Sequence, residues 1–271
     1  LERESTIVNF LRFLLLIIKL LKAPTLTDDG IPMRNEIGSP QGSILSPVIA
    51  NVYLHYVLDI WFVQQNNSQY GGSGSMVRYA DDAAFTFRSF SDAERFRQRL
   101  TERLNQFGIA IHEGKTKVLI SGVREAQRLA KRGEGMPTFT FLGFLHVWGK
   151  SQNKKLGVIF WRVKRRTCPL RFRKKLAEIK TYIRKHRHDK GLLMKIKSVV
   201  QGYLNYFAIN DNGRRVEQFA LEVKRLLFKW LNRRSQRKSF NWAEFGAILK
   251  KIDFPRPRLR NLFFATKAAG R

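Results

Sequence analysis

The residues best suited to chemistry lie in one short run, Met76-Val77-Arg78-Tyr79-Ala80-Asp81-Asp82-Ala83-Ala84-Phe85-Thr86-Phe87, where adjacent carboxylates separate two apolar, β-prone stretches. The flanks predict paired strands, and an Asp-Asp turn would set two ionised oxygen donors at the tip. Hard divalent cations favour such donors, and Mg²⁺ uses one or two protein carboxylates together with substrate phosphates. Aspartate is also common in turns for a structural reason, because its side chain caps local backbone groups. By itself the pair therefore admits both a metal-holding and a conformational reading.

A sequence of 271 residues can bury a large core in one or two domains. It carries 51 Lys and Arg against 21 Asp and Glu, a formal net charge of +30, and 44% of its residues are hydrophobic. The hydrophobic share excludes a disordered basic tail, and the basic excess, spread through helical patterns that also hold aromatics, points to a folded binder of polyanions. A single cysteine, Cys168, excludes a disulfide framework and a multi-cysteine zinc site, and fits a reducing compartment. Ile7 to Leu21 is strongly apolar but contains Asn9, Arg12 and Lys19. At 1.5 Å per residue it would span roughly 22 Å, too short to cross a bilayer, so we expect a buried helix and no membrane partner. The chain opens on Leu1 without signal-peptide architecture, as if cut from something longer.

Several elements must position the acidic run. A helix from Glu4 to Lys22 has its polar residues near one narrow stripe, so it expects neighbours on most sides. Thr27-Asp28-Asp29-Gly30 reads as a turn, too sparse for a calcium loop. Ser46 as N-cap and Pro47 at the first helical position start a helix to about Phe62, with Val48, Val52, Leu54, Val57, Leu58 and Trp61 on its apolar face. Gln64 to Ser75 is polar and glycine-rich, with the composition of a flexible linker at Gly71 to Ser75. Beyond the hairpin, Ser91-Asp92-Ala93-Glu94 predicts a capping box, Phe96, Leu100, Leu104 and Phe107 a helix, and Gly108 its stop.

Ile109 to Ile120 reads as two short strands about His112-Glu113-Gly114-Lys115, with His112 a strand residue rather than a ligand. Residues 121 to 137 read as a basic linker or short helix, and Thr138 to Trp148 and Leu156 to Val163 as strands. From Pro169 the period changes to about 3.6. Helices are expected near 170 to 187, 191 to 208 and 214 to 234, then 241 to 251, with an extended Pro255-Arg256-Pro257-Arg258 segment after them. Tyr203 and Trp230 could stack on bases, but their helical spacing favours core packing.

Gly38-Ser39-Pro40-Gln41-Gly42 before a helix, Arg78-Tyr79-Ala80-Asp81-Asp82 in a hairpin, Gly108 through Lys115-Thr116-Lys117, and Phe141-Leu142-Gly143-Phe144 occur in an order that resembles reverse transcriptases. Asn205-Tyr206-Phe207, the run from Lys229 to Arg237, and Trp242, Glu244 and Phe245 look like the thumb, or maturase domain, of bacterial group II intron-encoded reverse transcriptases. The resemblance implies an α+β fold: a partial right-hand polymerase palm of antiparallel sheet and helices over 1–150, a connecting strand or linker over 151–168, and an α-helical thumb over 169–238. Residues 239–271 would be a basic tail and candidate DNA-binding region.

The same resemblance implies catalysis and metal binding at Asp81 and Asp82, Asp81 as the direct ligand, with two Mg²⁺ ions in a complete site. Tyr79, Ala80, Pro40, Gln41, Gly42 and Lys115 would meet nucleotide or template, although a solvated hairpin position is the other reading of Lys115. Phe141, Leu142, Gly143 and Phe144 would hold the primer side, with plain core packing as the other reading. Arg165, Arg166, Arg171, Arg173, Arg184, Arg233 and Arg234 would bind RNA. Ser43 stands where the family usually has glycine. The family's further aspartate and its fingers have no counterpart before Leu1, so the chain alone is expected to polymerise poorly unless a separate N-terminal fingers segment joins it. The expected partners are group II intron RNA, a DNA primer or target and dNTPs, in a bacterial cytoplasmic or nucleoid-associated ribonucleoprotein. An RNA-directed DNA polymerase, a non-catalytic RNA-binding splicing maturase and an inactive truncated fragment are the competing functions.

Overall fold

A computed structural model describes residues 2–26, 32–33, 45–153, 157–233 and 240–260. The chain divides into two compact units, Leu1–Leu119 and Ile120–Arg271. That division falls before the 151–168 connecting segment of the expected domain scheme.

In the first unit, α1 (Glu2–Leu21) is followed by a short antiparallel pair, β1 (Thr25–Leu26) and β2 (Pro32–Met33). From Asn9 onward no side chain of α1 is buried, and Phe10, Phe13, Leu15 and Leu16 are all more than half exposed. The expected buried helix is thus exposed over its described side chains. Apolar composition states what a helix would gain from a partner and does not supply one.

One continuous helical run then comprises α2 (Ser46–Leu54), a π-helical turn (His55–Asp59) and α3 (Ile60–Gln69). The N-cap is Leu45 rather than Ser46, with Pro47 in the first turn as expected. By length and hydropathy Ser46–Gln69 could cross a membrane. Its middle instead carries Asp59 in an ion pair, and Val57, Leu58 and Phe62 lie in the unit's core. Gln64 to Gln69 is helix, and the glycine segment after it, expected to have linker character, is a built turn. Asn66 donates from Nδ2 to the Gly74 carbonyl (3.0 Å) and accepts from the Gly74 amide (2.7 Å).

This turn delivers β3 (Ser75–Tyr79), which pairs antiparallel with β4 (Asp82–Thr86). α4 (Phe90–Gln106) follows, capped by Ser89, whose side chain accepts from the Asp92 amide, so the cap lies two residues before the expected Ser91. Phe96, Leu100 and Leu104 are buried at helical spacing, and Gly108 ends the helix at a φ of 69°. Phe96 is the centre of the core, with the rings of Trp61, Phe62, Tyr70, Phe85 and Phe87 at centroid distances of 4.8 to 6.3 Å. The two strands expected over Ile109 to Ile120 do not form. Instead the His112 carbonyl accepts from the Lys115 and Thr116 amides in a turn, and Ile109 and Ile111 pack on the core without a ladder.

The second unit opens with α5 (Val123–Lys131), followed by a three-stranded antiparallel sheet in the order β5 (Phe139–Phe141), β6 (Phe144–Asn153), β7 (Val158–Thr167). Its helices are α6 (Pro169–Lys185), α7 (Leu192–Phe207), α8 (Gly213–Leu231) and α9 (Trp242–Lys251), close to the expected spans. Their core follows the 3.6 period: Ile179 and Ile183, then Ile196, Val200 and Tyr203, then Val216, Phe219, Val223 and Leu227. Tyr203 stacks on Phe219 with centroids 3.5 Å apart, so it is a core residue. Burial pushes its hydroxyl pKa up to about 12. Trp230 is partly buried against the same cluster.

Candidate active-site hairpin

The alternation of β3 and β4 decides what surrounds the acidic tip. Met76 pairs with Phe85 and Arg78 with Ala83 on the half-buried face, while Val77, Tyr79, Asp82 and Ala84 share the outer face. Phe85 on the inner face and Phe87 just beyond β4 pack on Phe96, at 4.8 and 4.9 Å between centroids, and hold the strands against α4. Tyr79 pairs with Asp82, so the two-residue turn is Ala80-Asp81 and not the Asp-Asp pair. Asp82 begins β4, and both carboxylates are exposed.

Ala80 has a φ of 54°, a left-handed conformation in which a Cβ meets the following carbonyl, at a cost of about 1 kcal/mol or more. Glycine would remove that strain. The strand directly before the turn supplies a restraint. Arg78 donates from Nη1 to the Ala80 carbonyl (2.9 Å) and to Asn51 Oδ1 (2.9 Å). Its Nε and Nη2 form a fork to Asp59 at 2.7 and 2.6 Å. These bonds hold the Asp59 carboxyl below the ordinary carboxylate range and raise the Arg78 guanidinium above its own. Asp59 closes the π turn, in which the Ile60 amide reaches back to the His55 carbonyl. The Val57 carbonyl in that turn accepts from Arg103 Nε of α4 at 3.2 Å.

Tyr79, Ala80, Asp81 and Asp82 are thus gathered on one tip, and Tyr79 is 67% exposed. Lys115 is exposed in the turn after α4. Pro40, Gln41, Gly42 and Arg234 lie outside the described residues, as does Thr27 to Gly30. In the second unit Phe141 and Phe144 flank a two-residue turn at Leu142 (φ 48°) and Gly143 (φ 79°), both left-handed as a tight hairpin requires. Tyr206 and Phe207 pack on Phe144, and the Arg171 side chain lies where a Cβ on Gly143 would meet it at 3.4 Å.

The other basic residues divide by partner. Arg165 lies 3.9 Å from Asp211, whose carboxylate also receives Arg162. Arg166, Arg173 and Arg184 are exposed, and Arg233 stacks over Trp230 at 5.6 Å. Sequence reasoning missed Arg78, Asp59, Asn51 and Arg162. Only Arg78 left a signal, as a charge on the inward-facing parity of an otherwise apolar strand.

Asp81 and Asp82 fit the protein's share of a hard-cation site, since they are exposed oxygen donors that leave room for substrate phosphates. Among the described residues no group of three or more His, Cys, Asp or Glu side chains could hold a metal ion. Residues 12–146 match the family described as reverse transcriptase (RNA-dependent DNA polymerase). Over 67 residues, 25% of this chain, the sequence is 39% identical to a protein of Schizosaccharomyces pombe named an uncharacterized 91 kDa protein in cob intron. The match covers 8% of that relative's length. The Asp81-Asp82 tip lies inside the stretch that is similar to reverse transcriptases.

Proposed function

We infer that this protein is a group II intron-encoded RNA-directed DNA polymerase that extends a DNA primer on intron RNA. The observation that carries this reading is the exposed Asp81-Asp82 pair at the tip of a hairpin within the stretch that is similar to reverse transcriptases. Mg²⁺ bound there would supply the charge neutralisation and hydroxyl activation that nucleotidyl transfer needs. Asp81 and Asp82 would hold the ion, while Tyr79 and Ala80 would border the primer end and the incoming dNTP. A site for two ions would call for more donors than this pair, and among the described residues no group of three or more His, Cys, Asp or Glu side chains forms one. The turn at Phe141 to Phe144 would support the primer strand.

A second reading, a maturase that binds intron RNA without using the carboxylates, is favoured by the net charge of +30 and by the exposed Arg166, Arg173 and Arg184. The deciding experiment is Mg²⁺-dependent primer extension on an RNA template, with the chain alone and with a separately supplied fingers segment, and Asp81→Asn as control. Extension lost in Asp81→Asn supports the polymerase. No extension in either setting, with tight salt-sensitive binding of the intron RNA, overturns it in favour of the maturase.

A further inference from the structure

The geometry points to Arg78 as the positioning residue of the acidic tip, fastening the strained Ala80 turn to the helix beneath it so that Asp81 and Asp82 are presented in one fixed arrangement. The inference rests on the metal-binding reading of those carboxylates. It begins with a conflict: Ala80 occupies a left-handed φ of 54°, where alanine is unfavourable and glycine is not. A hairpin turn left to itself would relax or fray. Here the Ala80 carbonyl accepts from Arg78 Nη1 at 2.9 Å, and the same nitrogen donates to Asn51 Oδ1 at 2.9 Å.

The other side of the guanidinium is locked by the Asp59 fork at 2.7 and 2.6 Å. One planar group thus spans strand, turn and two levels of the helix. Lysine, with a single nitrogen, cannot make the fork and the turn contact together. Asp59 reaches the fork from the end of the π turn, whose i to i+5 bond puts one extra residue into that part of the helix. Without that insertion the following residues would rotate by roughly a third of a turn relative to Asn51. Arg78 lies on the half-buried face of β3 and Asp59 on the helix beneath it, so both act on the tip through the Ala80 carbonyl.

The test uses the full chain labelled with ¹⁵N-alanine, which places reporters at Ala80, Ala83 and Ala84 in the hairpin and at Ala110 and Ala126 outside it. Amide spectra are recorded without metal and through a Mn²⁺ titration, for the wild type, Arg78→Lys and Asn51→Ala. The second variant leaves the ion pair intact and guards against a folding defect in the first. We expect the Ala80 resonance to shift or broaden in both variants while Ala110 and Ala126 stay in place. The Mn²⁺ needed to broaden the tip alanines should rise about 10-fold or more in Arg78→Lys, the usual effect of losing a group that orients metal ligands.

An unchanged Ala80 resonance and unchanged Mn²⁺ response in both variants, even with lowered thermal stability, would overturn the inference and leave Arg78 a purely structural residue. If Mn²⁺ broadens no tip alanine in the wild type, the metal-binding reading fails instead. The metal-free Ala80 resonance then still decides whether Arg78 holds the turn.

Discussion

The hydroxyl of Tyr206, on α7, donates to the carbonyl of Leu142 at 2.8 Å and so ties the helical bundle to the turn between β5 and β6. The Cys168 amide donates to the Gly143 carbonyl at 3.0 Å from the other side, and Phe144 stacks on the Tyr206 ring at 5.6 Å. Both central residues of that turn are left-handed, and Leu142 is not glycine, so the conformation needs outside support. Tyr206→Phe should cost about 1 kcal/mol, the net value of one hydrogen bond that is partly open to solvent. Tyr206→Ala should cost more, since it also removes the ring from Phe144. Thermal unfolding of the two variants checks the order.

Asn212 is the deeper link between sheet and helices. It is 1% exposed, accepts from the Thr167 amide at 2.9 Å, and donates to Thr167 Oγ1 at 2.7 Å and to the Phe207 carbonyl at 2.9 Å. Asn212→Ala strands these buried groups without partners and should destabilise the protein by about 3 kcal/mol. In urea the midpoint should fall while the slope of the transition is kept, because the surface exposed on unfolding is unchanged. A midpoint within experimental error of wild type would mean that water replaces the side chain.

These links explain what was legible in the sequence and what was not. α4, α6, α7 and α8 were readable because apolar residues recur at 3.6 over many turns, and each recurrence is an independent vote for one face. The Asp81-Asp82 hairpin was readable because apolar, β-prone residues flank the adjacent carboxylates, although the turn itself falls one residue earlier, at Ala80-Asp81. The π turn at His55–Asp59 has no pattern of its own, since it changes only which carbonyl an amide reaches, and the fork from Arg78 to Asp59 depends on it. Ile109 to Ile120 carries strand-forming residues, but Ile109 and Ile111 already satisfy the core, so pairing adds little burial. The exposure of α1 was unreadable for a different reason: a residue's apolarity is local and its burial is not.

The Arg78–Asp59 pair also sets a pH dependence. Hydrogen bonds from Arg78 hold the Asp59 carboxyl below its ordinary range, so the folded chain binds fewer protons there than the unfolded chain does. The pair's contribution is therefore complete above the unfolded value of about 3.9 and is lost as pH falls through the depressed folded value. The melting-temperature gap between wild type and Arg78→Met should be largest near neutrality and should close below about pH 4. A gap that stays constant down to the acid limit would place the stabilisation in the bonds to Asn51 and Ala80 instead.

The arginines of the second unit should separate into two groups when nucleic acid is bound. Arg162 donates a fork to Asp211, a carboxylate whose side chain is 2% exposed, and that pair joins β7 to the loop before α8. Arg173 and Arg184 are exposed on the flank of α6 beside the face whose Phe172, Ile179 and Ile183 pack in the core. A side chain that neutralises a phosphate releases a counterion, and each such contact adds about 0.7 to the slope of log affinity against log salt for single strands. Arg173→Ala and Arg184→Ala should each lower that slope by about this amount, with the melting temperature kept. Arg162→Ala should do the reverse: it should lower the melting temperature, because a buried carboxylate loses its main partner, and leave the salt slope of the folded protein as it was. Fluorescence anisotropy with a labelled intron RNA across a salt series reads the slopes, and equal slopes for all three variants and the wild type would show that α6 does not meet phosphate.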